Sequence, residues 1–365
     1  MTINQICSEF NILGKFVGVE QLDTGNINCT YKVTYQHNGD IKNYIIQKIN
    51  TVVFVEPEKV MDNIVSVTRY IRQNLAQEGL STKKFVLQAF PSKQNKEKAF
   101  IIDEDGNYWR CYRFIPNSIT YDTCDNLEII ERAGSAFGMF QKYLDGYDAK
   151  SLNITIPNFH NTILRFVAFK NAIKEDKFNR VKSVQGEIDK LLSFEKTACI
   201  LQEYIDNGQI PLRVTHNDTK CNNVSFDKTT GEPLAILDLD TVMPGAIAHD
   251  FGDAIRFVAN AVIEDCPDEE LVKFDLNKYE AFAKGFITKT KDMLTDLEKQ
   301  TINLGVFTLA VELAVRFLTD YLNGDVYFKT KYPGHNLDRA RNQIALAKDW
   351  LMKKELLNDI VKKYF

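Results

Sequence analysis

The hydrophobic pattern of this chain changes from strand-like to helix-like near residue 114. Before that point, runs such as CTYKVTY and NYIIQKI alternate β-branched and aromatic residues, and the turn signal N-G-D separates them. After Ile115-Pro116, apolar residues recur at helical spacing over long stretches. The change predicts an α+β protein with a small, mostly β N-terminal lobe over residues 1–114 and a large, mostly α C-terminal lobe over residues 115–365.

Local sequence signals predict where the helices and strands lie. In the N-terminal lobe, Pro57 opens a helical stretch that Gly79 ends, because proline fits the first turn of a helix and glycine its end. Between Leu212 and Asp240, the short apolar runs LRVTH and LAILDLD predict strands and loops that interrupt the helices. The helices predicted for the C-terminal lobe are 127–144, 162–173, 184–205, 279–289, 304–322 and 337–365.

The composition is that of an ordinary globular chain. Of its 365 residues, 44% are hydrophobic and 26% are charged, which argues against wholesale disorder. The formal net charge of −4 argues against a protein whose main partner is nucleic acid. The seven cysteines are scattered without a C-x-x-C pair, so they predict neither a zinc cage nor a disulfide framework and favour a reducing compartment.

No stretch of the sequence is predicted to target or cross a membrane. The N-terminal residues lack a positive segment followed by an apolar core and a small-residue cleavage site. The most apolar stretch, 304–322, is interrupted by Glu312, Arg316 and Asp320, whereas a spanning helix needs about 20 mainly apolar residues. We therefore expect a buried core helix there, in a cytoplasmic protein without a membrane partner.

The most specific motif is V-T-H-N-D-T-K-C-N-N-V, in which His216, Asp218 and Asn223 form the pattern H-x-D-x-x-x-x-N. The later run I-L-D-L-D supplies Asp238 and Asp240. Phosphoryl transfer from ATP needs a carboxylate beside the acceptor hydroxyl and oxygen ligands that hold Mg²⁺ on the phosphates. The pattern predicts Asp218 as the catalytic base, Asn223 and Asp238 as magnesium ligands, and Asp240 as a further magnesium contact.

A simple polar turn is the alternative interpretation of this loop, because asparagine and aspartate favour turns. The acidic pair that ends the later apolar run argues against it, since a buried carboxylate without a partner is strongly destabilising. A metal ion is the simplest partner for that pair. His216 is expected to brace the loop through a hydrogen bond rather than to transfer protons.

The N-terminal lobe carries weaker signals for nucleotide binding. The segment D-T-G-N-I-N-C-T-Y contains a single glycine, Gly25, and a hairpin turn explains it as well as a phosphate loop does. Lys48 follows on a strand face from which it could reach the nucleotide phosphates, with Glu58 or Asp62 of the next helix as its acidic partner. Arg113, near the end of the last strand run, is a third candidate for the nucleotide site.

A polar stripe marks the apolar helix predicted near the end of the chain. Glu312, Arg316 and Asp320 are four residues apart, so each step advances about 40° around the helix and all three lie on one stripe. They form either a salt-bridge ladder or the contacts of a hydroxyl-rich ligand. The following segment adds Tyr327, whose side chain suits sugar recognition.

Together these motifs resemble the aminoglycoside phosphotransferase and choline kinase superfamily, almost from end to end. The resemblance rests on T-G-N-I-N-C-T-Y, P-L-R-V-T-H-N-D-T-K-C-N-N, D-L-D-T-V-M-P-G, H-D-F-G-D-A-I-R-F, R-F-L-T-D-Y-L-N-G-D-V-Y-F and K-Y-P-G-H-N-L. It implies the two-lobed protein-kinase-like fold, ATP and Mg²⁺ as cofactors, and the roles given above for Asp218, Asn223 and Asp238.

The last two motifs are similar to those of superfamily members that phosphorylate N-acetylhexosamines on the anomeric hydroxyl. This closer resemblance implies a sugar acceptor, N-acetylglucosamine or N-acetylgalactosamine, with Arg316 and Tyr327 as its contacts. Kinases of another sugar, an amino alcohol or an aminoglycoside are the alternatives among enzymes. A cationic acceptor would need an acidic or aromatic pocket, which Arg316 disfavours.

Two further alternatives are less well supported. A non-catalytic kinase-like binding module is disfavoured because Asp218, Asn223 and Asp238 are all intact. A protein kinase is disfavoured because no D-F-G at the right place and no A-P-E follow Asp238.

Overall fold

A computed structural model describes residues 1–22, 27–82 and 85–365 of the chain. Over these ranges the strands, in chain order, are β1 (Lys15–Leu22), β2 (Cys29–His37), β3 (Asp40–Lys48), β4 (Phe85–Val86), β5 (Phe100–Ile102), β6 (Tyr108–Arg113), β7 (Ser118–Ile119), β8 (Arg213–Thr215), β9 (Val224–Asp227), β10 (Pro233–Ile236) and β11 (Met243–Gly245). The α-helices are α1 (Ile3–Ser8), α2 (Pro57–Gln77), α3 (Leu127–Tyr143), α4 (Thr162–Glu175), α5 (Gln185–Ala198), α6 (Ile200–Asp206), α7 (Ile247–Val258), α8 (Leu276–Thr290), α9 (Asp296–Thr301), α10 (Leu304–Leu322) and α11 (His335–Lys362). Strands dominate the first third and helices the rest, which confirms the predicted α+β class.

The chain forms two compact units. The first unit consists of residues 1–120, 146–157 and 224–243, and the second of residues 121–145, 158–223 and 244–365. The boundary predicted after residue 114 lies close to the first crossing from one unit to the other. The sequence predicted strands and loops between Leu212 and Asp240, but no pattern assigned either returning segment to the first unit.

The first unit is built on an antiparallel sheet with the strand order β1-β2-β3-β6-β5. In β3 and β6, Ile46 pairs with Cys111 and Gln47 pairs with Arg110. Successive side chains alternate between the two faces of a sheet. Ile46 and Cys111 are buried with Ile6 of α1 in one hydrophobic core, so Gln47 and Arg110 give the opposite face a polar character.

A smaller sheet with the order β4-β10-β9-β7 and the helix α2 complete the first unit. Pro57 is the first residue of α2, as the sequence predicts. On a buried face of this helix, the side-chain amide of Asn63 donates to the carbonyl oxygens of Asn153 at 2.8 Å and Val242 at 3.0 Å. Asn63 therefore ties both returning segments to α2.

The helix α10 is the centre of the second unit, and α4, α7 and α11 pack against it. It spans Leu304–Leu322, the range that the sequence predicts, and nearly all of its residues are buried, including Glu312 and Asp320. The expectation of a buried core helix is confirmed. Along the described ranges, no helix is both long enough and apolar enough to cross a membrane.

Close packing of α7 against α10 depends on Gly305. A Cβ atom at this position would lie 1.9 Å from the carbonyl oxygen of Ala248 in α7. The neighbouring atom belongs to the backbone, so it cannot turn away as a flexible side chain would. Gly186 in α5 is a natural comparison, because it is also helical but has nothing within 4 Å of the added Cβ.

We expect Gly305→Ala to lower the free energy of unfolding by about 1–3 kcal/mol, since the added methyl group forces two packed helices apart. Gly186→Ala should instead be neutral or stabilise the protein by up to about 1 kcal/mol, because alanine is the better helix former. Urea denaturation of both variants measures the difference. Equal stability of the two variants would contradict the close approach at Gly305.

Candidate active site

The loop between β8 and β9 carries the H-x-D-x-x-x-x-N motif, and α7 fixes the beginning of this loop. The carboxylate of Asp250 accepts hydrogen bonds from the backbone N–H groups of His216 and Asn217, both at 2.8 Å. Gln141 of α3 donates to the same carboxylate at 2.7 Å. Asn217 has a φ angle of 64°, in the left-handed region that asparagine tolerates better than most residues. Burial raises the pKa of Asp250, and the charge and hydrogen bonds of the loop oppose that rise.

A second carboxylate of α7, Asp253, holds the next part of the loop. Thr219 donates its backbone N–H to Asp253 at 2.8 Å and its hydroxyl to the carbonyl oxygen of Asp250 at 2.7 Å. Burial would raise the pKa of Asp253, but the cations Arg256 and Lys220 outweigh burial and lower it. Two buried carboxylates of α7 therefore anchor the loop.

Asp218 presents its carboxylate between two donors. The Nζ atom of Lys220 lies 2.9 Å from Oδ1, and the amide of Asn223 donates to Oδ2 at 3.1 Å. The Asp218 side chain is 28% exposed, so a ligand can reach it. The buried His216 accepts the backbone N–H of Asp218 at its Nδ1 atom at 3.3 Å. This bond agrees with the bracing role predicted for His216.

Asn223 and Lys220 complete the catalytic loop. The amide nitrogen of Asn223 also donates to the carbonyl oxygen of Asp218 at 2.8 Å, which orients the side chain. The side-chain oxygen of Asn223 is then the atom suited to a metal ion. Lys220 was missed in the sequence, although the spacing D-x-K inside the motif was visible. Asp218 raises the pKa of Lys220 against the effect of burial, and Asp253 adds to the rise, so Lys220 is charged at neutral pH.

Asp238 and Asp240 lie in the first unit, just after β10. The buried carboxylate of Asp240 binds Nη1 and Nη2 of Arg110, and the amide of Asn28 donates to it at 2.8 Å. A metal ion would have to displace this buried ion pair, so Asp240 serves as the partner of Arg110. Asp238 has φ 53° and ψ 62°, a strained conformation for a residue other than glycine and one that is common at functional sites.

The other candidates for the nucleotide site are less well supported by the geometry. Gly25 lies outside the described residues. Arg113 is the last residue of β6, where it is half-buried and pairs with Tyr44 across the sheet. Neither position therefore has a described contact that identifies it as a phosphate-binding group.

Lys48 ends β3 on the same face as the buried residue Ile46. Within the described part of the chain it forms no ion pair, and Glu58 pairs with Lys98 at 3.3 Å instead. The expected acidic partner in α2 is thus not seen. The polar face of the sheet is the opposite one, where Arg110 binds Asp240.

The polar stripe of α10 begins with Glu312, which is fully buried. His160 Nδ1 lies 3.0 Å from one carboxylate oxygen, and the hydroxyl of Thr162 donates to the other at 3.2 Å. Burial alone would raise the pKa of Glu312, but His160 and the nearby Arg316 and Arg165 lower it to about 2. Glu312 is therefore an ionised residue whose two oxygens are already bonded within the protein.

Arg316 occupies the next position of the stripe, and its guanidinium lies close to two aromatic rings. The centres of the Phe159 and Phe328 rings are each 5.4 Å from the guanidinium carbon. Such cation–π contacts favour the cation and leave its N–H groups as donors. The side chain is 11% exposed, and it lies 3.9 Å from Glu312.

Asp320 has a structural role that the stripe pattern did not predict. Its carboxylate accepts the backbone N–H groups of Val326, Tyr327 and Phe328 at 3.0, 2.8 and 2.9 Å. The amide of Asn336 donates to it at 2.9 Å. These donors engage both oxygens, so Asp320 shapes the loop after α10 and holds Tyr327, whose side chain is 69% exposed.

The helix α7 supports both groups of residues in the second unit. His249 of α7 lies with its ring centre 5.1 Å from that of His160, the partner of Glu312. One residue later along α7, Asp250 begins the set of hydrogen bonds that fixes the catalytic loop. The catalytic loop therefore shares one supporting helix with the residues around Arg316. We call these residues the acceptor cluster; they are Phe159, His160, Thr162, Glu312, Arg316 and Phe328.

A cavity of about 270 Å³ also opens beside the catalytic loop. Its lining includes Cys221 of the loop, Cys124 of the segment before α3, and Arg256 near the end of α7. Asp122, at its rim, accepts a hydrogen bond from Asn222 of the loop at 3.0 Å. The residues of the acceptor cluster do not line this cavity.

We expect the protein to lose stability as the pH falls below about 6.5. Burial, with His160 as a second cause, lowers the pKa of His249 from 6.5 to about 3. Between those values the unfolded chain binds a proton that the folded chain does not, which favours unfolding by about 1.4 kcal/mol per pH unit. Glu312, whose pKa falls from 4.5 to about 2, acts in the same direction below pH 4.5.

Denaturant titrations at several values from about pH 7 to about pH 5 measure this slope. In His249→Gln the slope should decrease by up to about 1.4 kcal/mol per pH unit, because the variant has no group to protonate there. A slope equal to that of the wild type would contradict a neutral, buried His249.

An α+β fold whose helical unit anchors an H-x-D-x-x-x-x-N loop defines a kinase-like phosphotransferase. The chain belongs to the phosphotransferase enzyme family, whose family model matches residues 18–282. More than half of the sequence, including the catalytic loop and α7, lies inside that match. The family-level resemblance inferred from the motifs is thus confirmed.

Solved structures with the same fold agree. A microcompartment-associated aminopropanol kinase superposes with a TM-score of 0.59 at 14% identity, covering 97% of this chain and 98% of that one. Choline kinase from Cryptosporidium parvum superposes with a TM-score of 0.53 at 14% identity, covering 98% of this chain and 96% of that one. Spectinomycin phosphotransferase in complex with ADP and spectinomycin superposes with a TM-score of 0.53 at 13% identity, covering 91% of this chain and 93% of that one. At such identities the similarity establishes the kinase-like fold, as predicted.

Proposed function

We propose that the chain is an ATP- and Mg²⁺-dependent kinase that phosphorylates N-acetylhexosamines on the anomeric hydroxyl, as an N-acetylhexosamine 1-kinase does. The observation that carries the kinase part is the Asp218 carboxylate, which is held between Lys220 and Asn223 and is partly exposed. Asp250 and Asp253 fix the backbone of this loop. A rigid, accessible carboxylate of this kind is what a phosphotransferase needs beside its acceptor hydroxyl.

In the proposed reaction, Asp218 orients the acceptor hydroxyl and accepts its proton. The hydroxyl oxygen forms a bond to the γ-phosphorus of ATP while the bond from that phosphorus to the bridging oxygen breaks, and ADP leaves with the electron pair. Lys220 stays charged beside Asp218 and balances negative charge at this point. Positioning and charge stabilisation supply most of the rate in such transfers.

The proposed magnesium ligands are Asn223 and Asp238, which both carry a side-chain oxygen of the kind that Mg²⁺ prefers. Within the described ranges there is no group of three or more His, Cys, Asp or Glu side chains arranged to hold a metal, and the proposed set combines asparagine, aspartate and the nucleotide phosphates. When bound, Mg²⁺ would neutralise the phosphates and orient the γ-phosphoryl group.

The acceptor cluster supports a neutral, hydroxyl-rich acceptor. Arg316 and Arg165 are cations, while the carboxylate of Glu312 is bonded to His160 and Thr162. An exposed tyrosine, Tyr327, lies on the adjoining loop. Such a cluster offers donors and a stacking surface, and it repels a protonated amine.

A kinase of an amino alcohol is the second candidate. The fold is shared with kinases named for aminopropanol and for choline. A cationic acceptor would need carboxylates or aromatic rings without a competing cation, and in the acceptor cluster Arg316 already occupies the aromatic rings. We therefore favour the sugar.

An ATP-consumption screen tests the proposal. The acceptors are N-acetylglucosamine, N-acetylgalactosamine, their parent hexoses, choline, ethanolamine and an aminoglycoside. We expect turnover with the N-acetylhexosamines, and phosphorus-to-anomeric-proton coupling in the NMR spectrum of the product. Phosphate on the primary hydroxyl, or strong activity on choline with none on amino sugars, would contradict the assignment.

A further inference from the structure

Arg165 lies in the first turns of α4, next to the acceptor cluster, and it was not identified from the sequence. One of its terminal nitrogens, Nη2, donates to the carbonyl oxygen of Phe159 at 2.8 Å. Its Nε atom is buried and has no hydrogen-bond partner within the described ranges. A buried donor without an acceptor is destabilising unless a ligand or water supplies one.

Arg316 also has donors that are free to bind a ligand. Its guanidinium carbon lies 5.4 Å from the ring centres of both Phe159 and Phe328. None of the hydrogen bonds among the described residues uses its N–H groups, and its nearest carboxylate oxygen, in Glu312, is 3.9 Å away. Its five N–H donors therefore have no acceptor in the cluster at hydrogen-bonding distance.

The two arginines are close enough to influence each other. Burial lowers the pKa of Arg165, and the charge of Arg316 lowers it further, while Glu312 acts in the opposite direction. Glu312 accepts hydrogen bonds from neither arginine among the described contacts; its two oxygens contact His160 and Thr162, and Arg316 lies 3.9 Å away. Arg165 and Arg316 therefore both have donors that no carboxylate of the cluster meets at hydrogen-bonding distance.

We infer that Arg165 and Arg316 form a subsite for the carbonyl oxygen of an amide group on the acceptor, and that Arg165 determines this specificity. The inference rests on the proposed function in assigning the cluster to the acceptor. For an N-acetylhexosamine the group is the acetamido carbonyl oxygen. A free amine, protonated at neutral pH, meets two cations and is rejected.

The proposal is tested with the full chain and two variants, Arg165→Met and Arg341→Met. Methionine keeps most of the length of arginine but removes the charge and the donors. Arg341 of α11 is the control, because it pairs with Glu187 of α5 at 2.7 Å and belongs neither to the catalytic loop nor to the acceptor cluster. The acceptors are N-acetylglucosamine, glucose and glucosamine, which present an amide carbonyl, a hydroxyl and an ammonium at the same ring carbon.

In the wild type, kcat/KM for N-acetylglucosamine should exceed that for glucose by at least about tenfold, with glucosamine the poorest. Arg165→Met should remove this preference by raising KM for N-acetylglucosamine at least about tenfold, while KM for ATP and the use of glucose stay unchanged. An equal loss for all three acceptors, or no loss, would overturn the specificity role of Arg165.

A binding experiment separates this inference from the proposed function. Calorimetry measures affinity for the same sugars, and for ethanolamine and N-acetylethanolamine, without turnover. The compounds form two pairs, glucosamine with N-acetylglucosamine and ethanolamine with N-acetylethanolamine. One outcome is that the chain phosphorylates no sugar and still binds the acetylated member of each pair more tightly, with Arg165→Met removing that difference. In that case the proposed function fails and the subsite stands. Tighter binding of the ammonium member, or no binding of any carbonyl-bearing compound, overturns the subsite.

Discussion

Asp218→Asn should lower the turnover number for acceptor phosphorylation by about 10²- to 10⁴-fold, the usual contribution of a general base. The asparagine has nearly the same shape, so the loop keeps its hydrogen bonds to Asp250 and Asp253. What is lost is the group that accepts the proton and pairs with Lys220. Affinity for magnesium-ATP should change little, because Asp218 acts on the acceptor. Steady-state kinetics and nucleotide calorimetry on the same preparation measure the two effects.

Asp125→Asn is the matched control for this variant. Asp125 is 94% exposed in its side chain and pairs with Lys278 on the surface of the second unit. The same chemical change there should leave turnover within about twofold of the wild type, since exposed ion pairs contribute little. A folded Asp218→Asn variant with the turnover of the control would remove Asp218 from the role of base.

The parts of the fold that the sequence predicts well are those whose signal is local. The helix α10 was predicted over its observed range because its apolar stretch is too long for a strand and therefore indicates a helix. The helices α3 and α4 begin at the predicted residues because Asn126 and Asn161 cap them. Asp218 and Asn223 are in contact because they lie five positions apart on one loop, while their roles stay predictions.

The helix α7 was not predicted, although its sequence has the period of an amphipathic helix. Asp250, Asp253 and Arg256 share one face of the helix, and that polar face is buried instead of lying in solvent. Asp250 and Asp253 look like surface residues in the sequence, yet they anchor the catalytic loop more than 30 residues away. Their partners are backbone N–H groups, which have no signature in the sequence.

The acceptor cluster shows the same limit. Regular spacing suggested that Glu312, Arg316 and Asp320 act together, but the structure gives each a different partner. Glu312 bonds His160, Arg316 stacks on Phe159 and Phe328, and Asp320 bonds the backbone of its own loop. Arg165 reaches this cluster from a helix about 150 residues earlier, so only the folded chain reveals it.

The contrast between Asp238 and Asp240 yields the second large expected effect. Asp240→Asn should destabilise the first unit by about 3–5 kcal/mol, because Arg110 would be left as a buried cation with a weakened partner. Urea denaturation measures this loss. The effect on magnesium-dependent binding, measured on the folded fraction, should be small. A stable Asp240→Asn variant that no longer responds to magnesium would return Asp240 to the role of metal ligand.

Asp238→Asn should behave in the opposite way, with stability close to that of the wild type and a large loss of magnesium-dependent nucleotide binding. Asparagine tolerates the left-handed backbone that Asp238 adopts, so the substitution removes charge without forcing the chain to move. Losing an anionic magnesium ligand should weaken the metal-dependent part of ATP affinity by about 10- to 100-fold, since Mg²⁺ strongly favours carboxylate oxygens. Calorimetry of ATP with magnesium and with a chelator isolates that part. If the affinity ratio between the two conditions is the same in the variant and in the wild type, Asp238 does not hold the metal.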